Sequence, residues 1–394
     1  MTRPLAGLKV LDFSTLLPGP YATQLLADMG AEVLRVEALG RHDLARSMPP
    51  FIEKGISAIH AALNRNKQSI ALNLKKPEAI KVVYRLIEDY DIVIEQFRPE
   101  VMARLGLGYE ELKKMNSRLI YCSITGYGQT GPLKNRAGHD INYLALSGLA
   151  SYSGREETGP VLSGTQIADI AGGSHHAVMG ILAAVLQRQA TGEGQSIDIS
   201  MTDCAFALNA MFGANSLASG KSPKAGREFL NGGIFYDYYR TSDDRWISVG
   251  SLEPQFAQGF FAAIGHPEWL GRAVDQTHLN QQSLKSDVDG VLSSKSFNEW
   301  MEVFEPLDIC VEPVLDVQEA AGHSHFTARK MVVDLPVSEE KSVAQIANPI
   351  KFSGSEAEYR KAGGMPGEDT RAVLDKLGYS PDELDALLGA GTFS

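Results

Sequence analysis

A chain of 394 residues exceeds what one hydrophobic core supports, since cores stop growing at about 250 to 300 residues, so two lobes are expected. Hydrophobic residues make up 44% and charged residues 22%, which excludes wholesale disorder, and a formal net charge of -11 argues against nucleic acid as a partner. No apolar run approaches the roughly 18 residues of a membrane span and MTRPLAGLKVLDFS has no signal-peptide core, so a cytoplasmic protein with no membrane partner is expected.

In chain order, LKVLDF predicts a strand, PGPYATQLLADMG a helix ending at Gly30, and AEVLRVE a second strand, a β-α-β unit. The alternation continues through SIALNL, KKPEAIKVVYRLIEDY, DIVIEQF, RPEVMARLGL, YEELKKMN and RLIYCSITGYG. This pattern predicts an α/β fold, a Rossmann-like domain with a parallel sheet covered by helices. Residues 138 to 210 read as helices that belong with this lobe, and composition shifts near Ser219, where SGKSPKAGREFLNGG reads as a linker. The expected large domain is 1–218, completed by 331–394, and the expected small α+β domain is 219–330. Within the latter, FYDYYRTSDDRWISVGS reads as a β-hairpin and EPQFAQGFFAAIG as a helix; the tail SPDELDALLGAG begins with a Ser cap. Cys122, Cys204 and Cys310 are odd in number and far apart, which predicts buried free thiols rather than disulfides or a metal cluster.

The β-α-β start invites a dinucleotide reading, but the turn Leu16-Leu17-Pro18-Gly19-Pro20-Tyr21-Ala22 lacks the small residues of G-x-G-x-x-G. What it offers is a helix N-terminus near basic residues at other strand ends: Arg65, Lys67, Lys75, Lys76, Arg98 and Arg104. Together these can hold phosphates, although any one alone reads as a solvated surface charge.

The segments LLPGPYATQLLADMGAEVLRVE, GYGQTGP, GHDINYLALSG, IADIAGGS, GILAAVLQRQATGEGQ and YDYYRTSDDRWISVGSLEPQF occur in order from about residue 5 to residue 330. In them the chain resembles the CaiB/BaiF family III CoA-transferases and the α-methylacyl-CoA racemases. The resemblance implies an interlocked homodimer, an acyl-CoA thioester as substrate, coenzyme A on the large domain, and no permanently bound cofactor. By position, Asp169 matches a nucleophile in the transferases and an acid/base in the racemases. His139 matches the racemase histidine opposite it, Glu253 a glutamate that orients that histidine, and Asp140 the helix start that binds the thioester oxygen. Leu16, Leu72, Lys75, Gln96, Phe97, Arg98 and Arg104 fall where relatives line the coenzyme A site. Where several relatives carry an arginine for the nucleotide end this chain has Ala38, which leaves Arg35 or Arg41 as candidates.

Racemisation beside a thioester carbonyl removes a proton from one face and returns one to the other, so it needs two acid/base groups, and a histidine with a carboxylate supplies them. N–H groups at Gly138 to Asp140 can stabilise the enolate oxygen. CoA transfer instead uses the Asp169 carboxylate as nucleophile, with no histidine required. Transferases of the family commonly carry an aromatic residue at the position of His139 and a glycine run where this chain has Val249-Gly250-Ser251-Leu252-Glu253-Pro254, so the racemase is favoured over the transferase, and both over a CoA-thioester binding protein without turnover. His175 and His176, being adjacent, read as packing residues, Asp203 as a cap or buried pair, and Gly172-Gly173 as close packing, room for the acyl thioester, or both.

Overall fold

The computed structural model describes residues 3–393. The chain divides into two compact units, one of Met1–Ser147, Gly164–Leu208 and Ser324–Ser394, the other of Gly148–Ser163 and Asn209–His323.

The first unit is built on six parallel strands: β1 (Lys9–Asp12), β2 (Glu32–Ala38), β3 (Gln68–Leu72), β4 (Ile92–Glu95), β5 (Ile120–Thr125) and β6 (Ser196–Ser200). They lie in the order β3-β2-β1-β4-β5-β6, with Leu11 paired to both Leu34 and Val93. Strands covered on both faces read as unbroken apolar runs, which is why KVLD, IVIE and IYCSIT are almost wholly buried. The order reverses between β1 and β4, and in open parallel sheets a crevice opens at that point beyond the strand ends. Helix α1 (Pro18–Asp28) follows β1, with prolines in its first turn where the missing N–H costs nothing. Helix α2 (Pro77–Ile87) packs Val82, Val83 and Leu86 into the main core.

Further along the unit come α3 (Asp140–Leu146), a π-helical segment Ala168–His175, α4 (His176–Thr191) and α5 (Met201–Ala207). The continuous stretch Ala168–Thr191 is long and apolar enough to cross a membrane by length and composition alone, more so than the sequence reading allowed. Its inner face is a core face: Ala177, Ile181 and Ala184 are buried, and Arg188 pairs with Asp91 at 2.9 Å. Strand β6 is absent from the sequence expectation, because SIDIS alternates polar residues and is only half buried at the sheet edge.

The C-terminal segment adds to the same core. Thr370 Oγ1 accepts the Ala71 N–H at 3.1 Å, Asn73 N–H donates to the Thr392 carbonyl at 2.9 Å, and Leu374 and Phe393 are buried in the cluster that holds Ile70 and Leu72.

The second unit carries the antiparallel sheet β7 (Asp237–Arg240), β8 (Trp246–Val249) and β9 (Val311–Pro313), with the predicted hairpin pairing Ile247 to Tyr239. Helices α6 (Pro254–Ala263), α7 (His278–Leu292) and α8 (Phe297–Phe304) supply Phe260, Leu284 and Trp300 to its core. The tail helix α9 (Pro381–Gly389) of the first unit starts with Ser380 accepting from Glu383 N–H, the capping box read from sequence. No cysteine is bridged, but only Cys122 is buried; Cys310 is exposed, in a left-handed turn before β9, so apolar neighbours in sequence did not translate into burial.

Candidate active site

Gly138, His139 and Asp140 start α3, with His139 in extended conformation at its N-cap. The imidazole is therefore exposed at a helix start rather than packed on an apolar helix face. Tyr143, one turn on, is buried and donates its hydroxyl to the Gly138 carbonyl at 2.7 Å, and its ring meets Tyr127 edge-on with centroids 5.3 Å apart. Only glycine fits position 138, because a Cβ there would lie 2.7 Å from the Tyr143 ring and 2.8 Å from the Tyr127 hydroxyl. The His139 N–H, expected as an oxyanion donor, is already given to Asn142 Oδ1 at 3.0 Å. The Asp140 N–H has no hydrogen-bond partner among the described residues.

Asp169 lies near the start of the π-helical segment, where backbone N–H groups lack partners within the helix. Asp140 Oδ1 accepts the Asp169 N–H at 3.0 Å, which joins the two elements. The Asp169 carboxylate is half-buried and has no hydrogen-bond partner among the described residues. Burial, followed by repulsion from Asp140 and against the attraction of His139, pushes its pKa up to about 6. Burial also pushes the Tyr143 phenol up to about 12, with the Asp169 charge adding to it. The structure thus brings His139, Asp140 and Asp169 together and leaves a poised carboxyl group beside an imidazole. Glu253 lies in the other unit, exposed at the N-cap of α6.

Gly172 and Gly173 are both buried: a Cβ on the first would sit 3.3 Å from the Met201 carbonyl, and on the second 3.0 Å from the Pro18 Cβ. Close packing accounts for both. His176 donates Nδ1–H to the Ala171 carbonyl at 2.7 Å, and the exposed His175 ring lies 5.9 Å from the Tyr21 ring. Asp203 is exposed, with no side-chain hydrogen bond or ion pair among the described residues; Ser200 is the cap of α5, accepting the Asp203 N–H at 3.1 Å.

At the strand-order reversal, Leu16 adopts a left-handed conformation with φ 61°, costly for a side chain branched like leucine's, and Asp43 holds it by accepting its N–H at 3.1 and 3.2 Å. Gln96 Oε1 accepts the Gly19 N–H at 3.0 Å, and Phe97 N–H donates to Glu95 Oε2 at 2.7 Å. Burial raises the Glu95 carboxyl to about 7. Lys75, Arg98 and Arg104 are exposed, as Lys76 and Arg41 are. Leu72 is fully buried, its carbonyl accepting the Leu39 N–H at 3.1 Å, so its side chain belongs to the core.

Three of the cations read as phosphate ligands are instead structural. Arg65 is buried against Asp28 at 2.6 Å, Lys67 against Asp12 at 3.3 Å, and Arg35 against Asp43 at 2.5 Å. Their partners come from other segments of the chain, so charge at a strand end in the sequence did not reveal them. Asp43, Tyr127 and Tyr143 were missed as supports of the site, although Tyr143 stands four residues after His139, the spacing of one helical turn.

An open cleft of about 390 Å³ lies beside α3, lined by Tyr127, Arg136, Ala137, Asn142, Ala145 and Leu146. A larger hollow of about 590 Å³ in the second unit, around Phe212, Lys221, Lys224 and Arg227, contains none of the expected site residues.

The family profile of CoA-transferase family III matches residues 5–370. Alpha-methylacyl-CoA racemase of Homo sapiens is 35% identical over 384 residues, covering 96% of this chain and 95% of that protein. Succinyl-CoA:glutarate CoA-transferase of Mus musculus is 33% identical, covering 99% and 90%. Among solved structures, a CAIB/BAIF family protein from Brucella suis superposes with a TM-score of 0.85 at 30% identity, covering 96% of this chain and all of that one. With its parallel six-stranded sheet and whole-length similarity to both kinds of enzyme, the chain belongs to CoA-transferase family III.

Proposed function

We propose that this chain is an acyl-CoA racemase that interconverts the 2R and 2S forms of 2-methylacyl-CoA thioesters. The observation that carries the reading is the juxtaposition of His139, at the head of α3, with an Asp169 carboxyl raised to about 6. One group takes the proton from the α-carbon on one face while the other donates on the opposite face, and the roles exchange in the reverse direction. A carboxyl group raised to about 6 can both take and return a proton near neutral pH. The enolate oxygen that develops is met by the unpaired Asp140 N–H. Coenzyme A is placed in this proposal at the β1/β4 crevice, with Leu16, Gln96 and Phe97 shaping it and Lys75, Arg98 and Arg104 meeting its phosphates.

The proposal includes a homodimer. Helix α4 leaves Met179 and Leu186 55% and 67% exposed, opposite its core face, as expected of a surface that a second copy buries.

The deciding experiment incubates the protein with a 2-methylacyl-CoA in D2O, with and without an added carboxylic acid. Deuterium is expected at the α-carbon without any acceptor acid, and His139→Ala should lower that exchange by about 10³-fold. CoA appearing on the added acid, with the α-carbon unlabelled and His139→Ala still active, would replace this reading with CoA transfer through an Asp169 thioester. Neither product would leave a binding protein without turnover.

A further inference from the structure

Asp169 is carried by a segment wound in the wide π register, Ala168–His175, before the chain tightens into α4. A π turn bonds residue i+5 back to residue i, and such turns are rare and frequently occur at functional sites. Ser174 stands five residues after Asp169 and is fully buried. Its hydroxyl lies 2.7 Å from the Pro18 carbonyl oxygen and 3.2 Å from the Asp169 carbonyl oxygen. A hydroxyl has one proton, so it goes mainly to Pro18 and is shared with Asp169.

Pro18 opens α1, directly after the left-handed Leu16 turn. The neighbouring Gly173 packs against the same proline, where a Cβ would come within 3.0 Å of the Pro18 Cβ. On the other side of Asp169, the Asp140 carboxylate takes the N–H. The Asp169 backbone is therefore held at its N–H by the Asp140 carboxylate of α3, while its carbonyl shares the Ser174 hydroxyl proton with the Pro18 carbonyl at the start of α1.

We infer that Ser174 is a positioning residue, whose hydroxyl ties the Asp169 carbonyl to the Pro18 carbonyl and so sets the π register that aims the Asp169 carboxylate. The inference rests on the catalytic role proposed for Asp169. Ser174 reaches the chemistry only through the backbone: without its proton the two carbonyls compete for no donor, the segment is free to relax toward an α register, and the carboxylate turns toward solvent.

The test compares the intact protein with Ser174→Ala, Ser174→Cys and Asp169→Asn, following both α-hydrogen exchange in D2O and CoA transfer. Ser174→Ala and Ser174→Cys should lower kcat about tenfold with KM for acyl-CoA within about twofold, since misplacement of a reacting group penalises the chemical step. The acid limb of the pH profile should move down by about one unit as the carboxyl group regains water. A residue that only supports the fold would lower Tm and leave that midpoint in place. If the alanine variant does not fold, the cysteine variant, which fills the same space with a weak donor, is read in its place. Wild-type kcat and an unmoved midpoint in the folded variant would overturn the inference. Full activity in Asp169→Asn would overturn the catalytic reading beneath it, whatever Ser174 does.

Discussion

Replacing Asp169 by Asn removes a carboxyl group whose ionised form the fold disfavours, so this substitution should stabilise the protein while stopping its chemistry. The carboxyl pKa rises from 3.8 to about 6 on folding, through burial and the nearby Asp140. A shift of about two units corresponds to about 3 kcal/mol at about 1.4 kcal/mol per unit. Because the side chain is only half-buried, solvent screening reduces this to about 1–2 kcal/mol. A raised folded-state pKa means that the native protein holds the proton more tightly than the unfolded chain. The penalty is therefore absent below about pH 4, grows between pH 4 and 6, and is complete above pH 6. Asn has nearly the same shape and no charge to desolvate, and the Asp169 N–H bond to Asp140 is made by the backbone and survives. Thermal unfolding of wild type and Asp169→Asn at pH 4 and pH 8 is the assay. The variant should melt about 2 °C higher at pH 8, with the gain vanishing at pH 4. A variant that melts lower at pH 8, or whose gain does not change with pH, would refute the argument that this carboxyl group is held in an unfavourable ionised state.

Asp28→Ala should be severe: Arg65 donates Nε and Nη2 to Asp28 at 2.9 and 2.6 Å, and the change leaves a buried guanidinium uncompensated, at a cost of about 3–5 kcal/mol read by urea unfolding. The same guanidinium donates to the Ile346 carbonyl at 2.7 Å, so limited proteolysis should show earlier cleavage C-terminal to residue 330 in that variant. On the proposed homodimer, Leu186→Lys places a charge on the exposed apolar face of α4 and should lower the sedimentation coefficient relative to wild type at micromolar concentration; an unchanged coefficient would remove α4 from the proposed interface.

The parallel sheet was legible because strands covered on both faces must be apolar throughout: KVLD, IVIE and IYCSIT announce themselves without any partner being known. The hairpin of Tyr239 and Ile247 was legible from its two-residue alternation, and the tail helix from Ser380 and Glu383, because these patterns are local. The candidate residues His139 and Asp169 were legible through the ordered motifs around them, though composition and spacing alone left each as an ordinary side chain. What the sequence by itself determined is thus whatever depends on neighbours along the chain: element type, the parallel α/β class of the first unit, and the chemical identity of the groups at the site. Tertiary structure decided which charges are free and which are spent. Arg65, Lys67 and Arg35 read like Arg98 and Arg104 in sequence, yet the first three are buried against Asp28, Asp12 and Asp43, while the last two face solvent. It also decided the wide winding under Asp169 and the donors around it, where the His139 N–H is used by Asn142 and the Asp140 N–H is not. An ion pair or a desolvated carboxyl group depends on atoms brought from distant segments, so its energy exists only once the chain has folded.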